Sequence, residues 1–173
     1  MGVIDRFMWF LKTRRPGDFV ESMVNCFAAP VIQGIKCVKL LNLSRNGQDV
    51  RRAWGAVEKD LLATTGMHAR EIASSHYSLL LLFYRRESLV HTLSQKQPRN
   101  ALANSGYDIN ADPAESLEPF LNTLVYRFRP GFPHEIGIFL GYPLVDVLGF
   151  IEHAGRNAKL TRLWISYGDA VSA

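Results

Sequence analysis

The amino-acid sequence predicts an α+β fold, a small mixed sheet packed with several helices in a single domain. Three observations predict it. Tyr77-Ser-Leu-Leu-Leu-Leu-Phe-Tyr84 is an apolar run of strand length without polar alternation, so both of its faces are expected to be covered. Several other stretches repeat apolar residues at the helical period and stop at Gly or Pro. Lys159 to Tyr167 alternates apolar and polar residues as a half-buried strand does. A chain of 173 residues, 47% hydrophobic and 21% charged, suits one compact domain. Its 13 Gly, 8 Pro and 2 Cys exclude collagen-like and disulfide-scaffold classes, and its hydrophobicity excludes a disordered chain.

From the N-terminus, Val3, Ile4, Phe7, Met8 and Leu11 mark one face of an amphipathic helix, with a basic turn following at Lys12, Arg14 and Arg15. Residues 1–17 are set apart on this ground, leaving 18–169 as the core. Such a helix more often covers a core or a partner, and it can also rest on an anionic membrane surface, which gives residues 3–15 as the place for any peripheral membrane contact. Asp5 and Arg6 interrupt the apolar run, so it is no signal peptide, and no stretch approaches the ~20 apolar residues of a transmembrane helix.

Asp18 and Glu21 form a capping box for a helix carrying Phe19, Val20, Met23, Val24 and Phe27, and Pro30 is expected to end it. Val31 to Leu43 reads either as an extended stretch, from its β-branched residues, or as a helical turn at Cys37-Val-Lys-Leu-Leu. Asn46-Gly47 breaks the chain. Val50, Ala53, Trp54, Val57, Leu61 and Leu62 then predict a helix closed by Gly66. Beyond the 77–84 strand, helices are expected from Glu87 to Leu93, from Pro98 to Gly106, and from about Ser116 to Arg129. Pro119 fits the last of these because first-turn amides lack intrahelical partners. Tyr107 to Pro113 is a polar connection and Pro130-Gly-Phe-Pro133 a turn. His134 to Leu140 and Pro143 to His153 are two helices separated by Gly141-Tyr142, with Pro143 in the favoured first position and Gly155 as the closing cap.

The function classes narrow by what the sequence lacks. Its net charge is +4, but the basic residues stand in scattered pairs (Arg14 and Arg15, Arg51 and Arg52, Arg85 and Arg86, Arg127 and Arg129) rather than in a stripe. Cys26 and Cys37 form no CxxC, so both are expected to be reduced, at least partly buried thiols of a cytoplasmic protein. Glycine-rich phosphate loops and the nucleophile elbow are missing. His134-Glu135 opens like a zinc-peptidase helix, but Ile138 stands where the second imidazole belongs, so no metal site is assigned and any cofactor stays unknown. Residues 135–152 have the spacing of a helix-turn-helix. The second helix offers Leu144, Val145, Asp146, Leu148 and Phe150, which cannot read base edges, so sequence-specific DNA binding is not expected. For His134 and Glu135 two readings stand side by side: the start of a helix with a carboxylate on its positive end, or an acid–base or ligand pair at a pocket mouth.

Phe132-Pro-His-Glu-Ile-Gly-Ile-Phe-Leu-Gly-Tyr-Pro-Leu-Val-Asp-Val-Leu-Gly-Phe-Ile-Glu, with Trp164 and Tyr167-Gly-Asp, resembles a bacterial domain-of-unknown-function family, number thirty-seven ninety-three. Ala29-Pro-Val-Ile-Gln-Gly-Ile-Lys36 and Leu79-Leu-Leu-Leu-Phe-Tyr-Arg extend the resemblance over about residues 19 to 169. It implies no activity. Carried onto this chain, the marked positions are Lys36, His134, Glu135, Gly141, Tyr142, Pro143, Asp146, Gly149, Phe150, Trp164, Tyr167, Gly168 and Asp169. The family pattern often has Cys where this chain has Ala28, and Pro where it has Cys37. It also continues past the Tyr-Gly-Asp with a helix and a cysteine-containing tail, where this sequence has four further residues. No thiol or metal role is therefore carried over.

Three functional expectations follow. The first is a small-ligand or cofactor-binding accessory protein with its pocket near the 132–153 helix pair. Lys36, His134, Glu135, Tyr142 and Asp146 would supply its polar contacts, and Trp164 and Tyr167 its stacking walls. The second is a protein-interaction module using the 134–153 helix pair or the N-terminal helix. The third is an enzyme with His134 and Glu135 as acid and base. The partner is accordingly a small molecule or a protein.

Overall fold

The computed structural model describes residues 2, 15–45, 47–153, 160–161 and 165–166. The N-terminal amphipathic segment 3–14, the Gly155 cap, Trp164 and Tyr167 lie outside the described residues. The fold is α+β, with eight helices among the described residues. The chain divides into two compact units, Met1–Arg86 and Glu87–Ala173.

The first unit opens on α1 (Pro16–Phe27). This helix starts before the expected Asp18 cap. Pro16 takes the first turn, where its fixed φ suits a helix and its missing N–H costs nothing, and Asp18 falls inside that turn without a capping bond. Phe19, Val20, Met23 and Val24 are buried. Cys26, expected to be at least partly buried, is exposed because it falls off that stripe, while Cys37 is half-buried. The helix ends at Ala28, and Pro30 opens a single further turn, α2 (Ala29–Ile32), instead of stopping helical structure.

The ambiguous stretch that follows resolves as β1 (Val38–Ser44). Next comes α3 (Val50–Thr65). Asp49 caps it by accepting from the Arg52 amide at 3.0 Å, and Gly66 closes it at φ +66°, a conformation that L side chains resist. β2 (His68–Ser74) has no counterpart in the sequence reading, because only Ile72 of its residues is buried. β3 (Ser78–Tyr84) is the expected apolar strand, and it forms the centre of a three-stranded sheet ordered β1-β3-β2. Both pairings are antiparallel, so the sheet is not the mixed one expected. Leu79, Leu81 and Phe83 join the helices' buried residues in one apolar cluster, where Trp54 meets Phe83 edge-on at 5.5 Å. Leu82 and Tyr84, from the strand's other face, are buried as well. Each fully buried Leu of β3 contributes about 1.5–3 kcal/mol.

The second unit holds α4 (Arg86–Ser94, whose first residue ends the first unit), α5 (Lys96–Asn104), α6 (Glu118–Arg127), α7 (Ile136–Phe139) and α8 (Leu144–His153). The short strands β4 (Leu160–Thr161) and β5 (Ile165–Ser166) pair with each other. The sequence reading expects one small sheet centred on the 77–84 and 159–167 strands. In the structure the second of these contributes a separate two-stranded pairing instead.

α7 is one turn long, shorter than the expected 134–140 helix, and all four of its residues are buried. It meets α8 at very close range. A Cβ added at Gly137 would lie 2.7 Å from Val147 Cγ2 and 3.4 Å from Tyr142 Cδ2. Gly141, at φ +74°, turns the chain between the two helices. Gly137→Ala is therefore expected to destabilise the protein by about 1–3 kcal/mol through overpacking, measured by urea unfolding, although alanine favours helix.

Candidate functional site

α6 ends at Arg127, and the chain turns back through Pro130-Gly-Phe-Pro133 to His134 and Glu135 at the start of α7. The turn brings two opposite charges together. Glu135 is 3% exposed, yet its side chain does not cap α7. Its Oε1 instead accepts from Arg127 Nε and, at 3.4 Å, from the Tyr107 hydroxyl. Tyr107 is itself buried and packs against Phe139, with ring centroids 5.8 Å apart. Burial, followed by the adjacent Glu135 charge, pushes its phenol well above the ordinary tyrosine range. The hydrogen bond to Glu135 likewise raises Arg127.

The carboxylate borders a cavity of about 360 Å³, lined by Ser105, Tyr126, Arg127, Pro130, Gly131, Phe132, Pro133, His134, Glu135 and Ile151. Two aromatic rings there are open to solvent, Tyr126 at 67% and Phe132 at 59% exposure. Phe132 leans edge-on against Phe128 at 5.4 Å, and the Arg129 guanidinium sits 5.4 Å from the Tyr126 ring centre. His134 is exposed and packs against Phe150 at 4.8 Å. A second, wider groove of about 760 Å³ runs between α5 and α8, with Ala101, Leu144, Val145 and Leu148 as its apolar residues and Gln97, Asn100, Asn104, Glu152 and His153 among its polar ones.

Of the residues expected at a site, this cavity brings together His134 and Glu135, with no hydrogen bond between them. Asp146 is buried in the first turn of α8, and Tyr142 is half-buried beside Gly137. Neither is among the described lining residues of the cavity or the groove. Lys36 is exposed just past α2, in the first unit. Sequence reasoning missed Arg127, Tyr126, Phe132 and Tyr107. The first had a signal, an opposite charge eight residues away across a Pro-Gly-Phe-Pro turn. Tyr107 had none, since its partner is 28 residues distant. Among the described residues no group of three or more His, Cys, Asp or Glu could hold a metal ion, and no helix is long and apolar enough to cross a membrane.

Fold and site together define an α+β protein with a charged, aromatic-rimmed cavity in its second unit. The chain belongs to the DUF3793 family, proteins of unknown function, whose pattern it matches over residues 24–173. Comparisons with curated proteins and with solved structures return no match.

The ion pair is unequally buried, 37% exposed at Arg127 and 3% at Glu135, and this sets the cost of breaking it from either side. Arg127→Met strands a buried carboxylate and is expected to cost about 3 kcal/mol or more. Glu135→Gln leaves a guanidinium that water can reach and is expected to cost less, about 1–2 kcal/mol, with urea unfolding of both variants deciding the order. The raised Tyr107 pKa has its own signature. The phenol stays neutral in the folded chain and ionises in the unfolded one, so its contribution to stability is complete below pH ~10 and falls as pH rises above that. Tyr107→Phe should therefore show a shallower loss of stability above pH ~10 than the unaltered protein, followed by denaturant titrations across that range.

Proposed function

We propose that this protein is a small-ligand-binding accessory protein and that the cavity at the α6–α7 turn is its pocket. One observation carries the reading: a guanidinium–carboxylate pair and two solvent-exposed aromatic rings border the same concave space. Exposed Tyr and Phe rings gain free energy when a ligand covers them, and the polar groups between them would fix its orientation. At about 360 Å³ the cavity lies at the small end of the ~300–1,000 Å³ typical of ligand sites, which suits a single-ring molecule. The acid–base role for His134 and Glu135 gains no support from this geometry, because Glu135 Oε1 is already taken up by Arg127 and Tyr107. A cytoplasmic setting suits the free thiols of Cys26 and Cys37.

Val145, Leu148 and Ile151 favour a second reading. They stand 54%, 42% and 42% exposed on α8, Val145 and Leu148 lining the α5–α8 groove and Ile151 the α6–α7 cavity, and such exposed apolar residues suit a contact with another protein.

Ligand-observed NMR with a library of cationic, neutral and anionic single-ring compounds tests the first reading. Hits are expected to bind the unaltered protein and to be lost in Phe132→Ser, whose exposed ring can be removed without harm to the core. A library in which no compound distinguishes the two proteins overturns it.

A further inference from the structure

We propose that the cavity at the α6–α7 turn takes a small aromatic acid, a single ring carrying a carboxylate or phosphate group, with Arg127 binding the anion and Tyr126 and Phe132 covering the ring; this rests on the ligand-binding reading above. A guanidinium has two edges able to make paired hydrogen bonds. Glu135 engages Arg127 through Nε, on one edge. The opposite edge, formed by the two terminal nitrogens, carries no bond to a described residue, and Arg127 is 37% exposed where it lines the cavity. Held from behind by a buried carboxylate, the guanidinium has already lost much of the rotamer freedom that anion binding would otherwise cost.

Charge also favours an anion. Glu135 is the one acid among the described lining residues, and Arg127 already neutralises it. Arg129 adds a positive charge over the Tyr126 ring, and His134 can donate a hydrogen bond from its ring at the same cavity. A cationic ligand would have to approach Glu135 past a guanidinium. A neutral ring would leave the open edge of Arg127 without a partner once the cavity is covered. Tyr126 has the Arg129 guanidinium against its ring and Phe132 meets Phe128 edge-on, so each ring is braced by a neighbour.

Heteronuclear NMR titration of the full chain with benzoate, phenyl phosphate, benzylamine and benzyl alcohol tests this. The two acids are expected to give saturable shifts at residues 126–135, and the stronger of the two identifies the anion. Benzylamine and benzyl alcohol should bind about tenfold more weakly or not at all. Added salt should weaken the acids and leave benzyl alcohol unchanged. Arg127→Lys keeps the charge but loses the planar edge, and is expected to weaken the acids about tenfold. Benzylamine or benzyl alcohol binding at 126–135 as tightly as benzoate would overturn the anion assignment while leaving the ligand-binding reading in place. Salt-independent binding of the acids in the unaltered protein would do the same, and needs no variant to fold. If none of the four compounds shifts these residues, the aromatic-acid assignment falls, and the ligand-binding reading falls with it only if the wider library also fails to distinguish the unaltered protein from Phe132→Ser.

Discussion

A carboxylate held out of water must find a partner, and much of the second unit's arrangement around the cavity follows from how Glu135 finds one. At 3% exposure its charge is tolerable because Arg127 lies against it and the Tyr107 hydroxyl adds a second donor to the same oxygen. Those partners come from the end of α6 and from the connection after α5, so one carboxylate ties three separate stretches of the second unit together. The turn 128–134 is closed at its base by this pair. Its Pro and Gly residues supply the reversal, and its exposed Phe132, with Tyr126 from the end of α6, rims the cavity. Such a pair adds little net stability over an apolar replacement. What it does supply is a fixed register between segments, and here it leaves a charged group at the edge of open space.

Other arginines serve the same end by binding carbonyls. Arg85 donates from Nε to the Val31 carbonyl at 2.9 Å, which also accepts from the Gly34 amide, and from a terminal nitrogen to the Ile32 carbonyl, adding donors at the end of α2. Arg99 donates to the carbonyls of Ile109 and Ala111, holding the connection between α5 and α6 against α5. A planar fork of donors suits this work better than a lysine ammonium would. The positive balance of the sequence is thus partly structural. Arg51, by contrast, makes a two-bonded pair with Glu71 at 2.7 and 2.9 Å on the exposed surface, where water and salt leave it worth little.

How much could be read from the sequence depended on whether a segment's signal was local. α3 was legible, since an apolar period and a closing Gly are both local signals, although its Asp49 cap emerged only from the structure. β3 was legible because an uninterrupted apolar run has few other places to go. β2 was invisible for the complementary reason. As an edge strand with a bulge between Glu71 and Ala73, it is held by backbone pairing to β3 rather than by side-chain burial, and its composition carries no trace of that. The pairing of 160–161 with 165–166 rather than with β3 was equally out of reach, because pairing is a long-range choice that local pattern does not encode. In the site, His134 and Glu135 stood out as a charged doublet beside a turn. Tyr107 entered through a contact that only the folded chain creates.

The long segment 132–152 that carries the family resemblance divides on the same principle. Three of its marked positions, Gly141, Pro143 and Asp146, have a structural reason for their identity. Gly137, inside the segment though not among those positions, admits Val147 where a methyl group would collide. Gly141 takes a left-handed turn that other residues resist, and Pro143 precedes the first turn of α8. Asp146 lies buried within that turn, at the helix end that favours a carboxylate. These residues make a joint between two helices that approach more closely than larger side chains would permit. His134 and Glu135 are different, since neither is required by the joint and both border the cavity. A carboxylate that served the fold alone could be replaced, together with its arginine, by apolar residues at no loss and often at some gain. Net stability therefore does not account for the buried charge at Glu135; what the structure shows it doing is holding Arg127 and Tyr107 in register at the edge of the cavity.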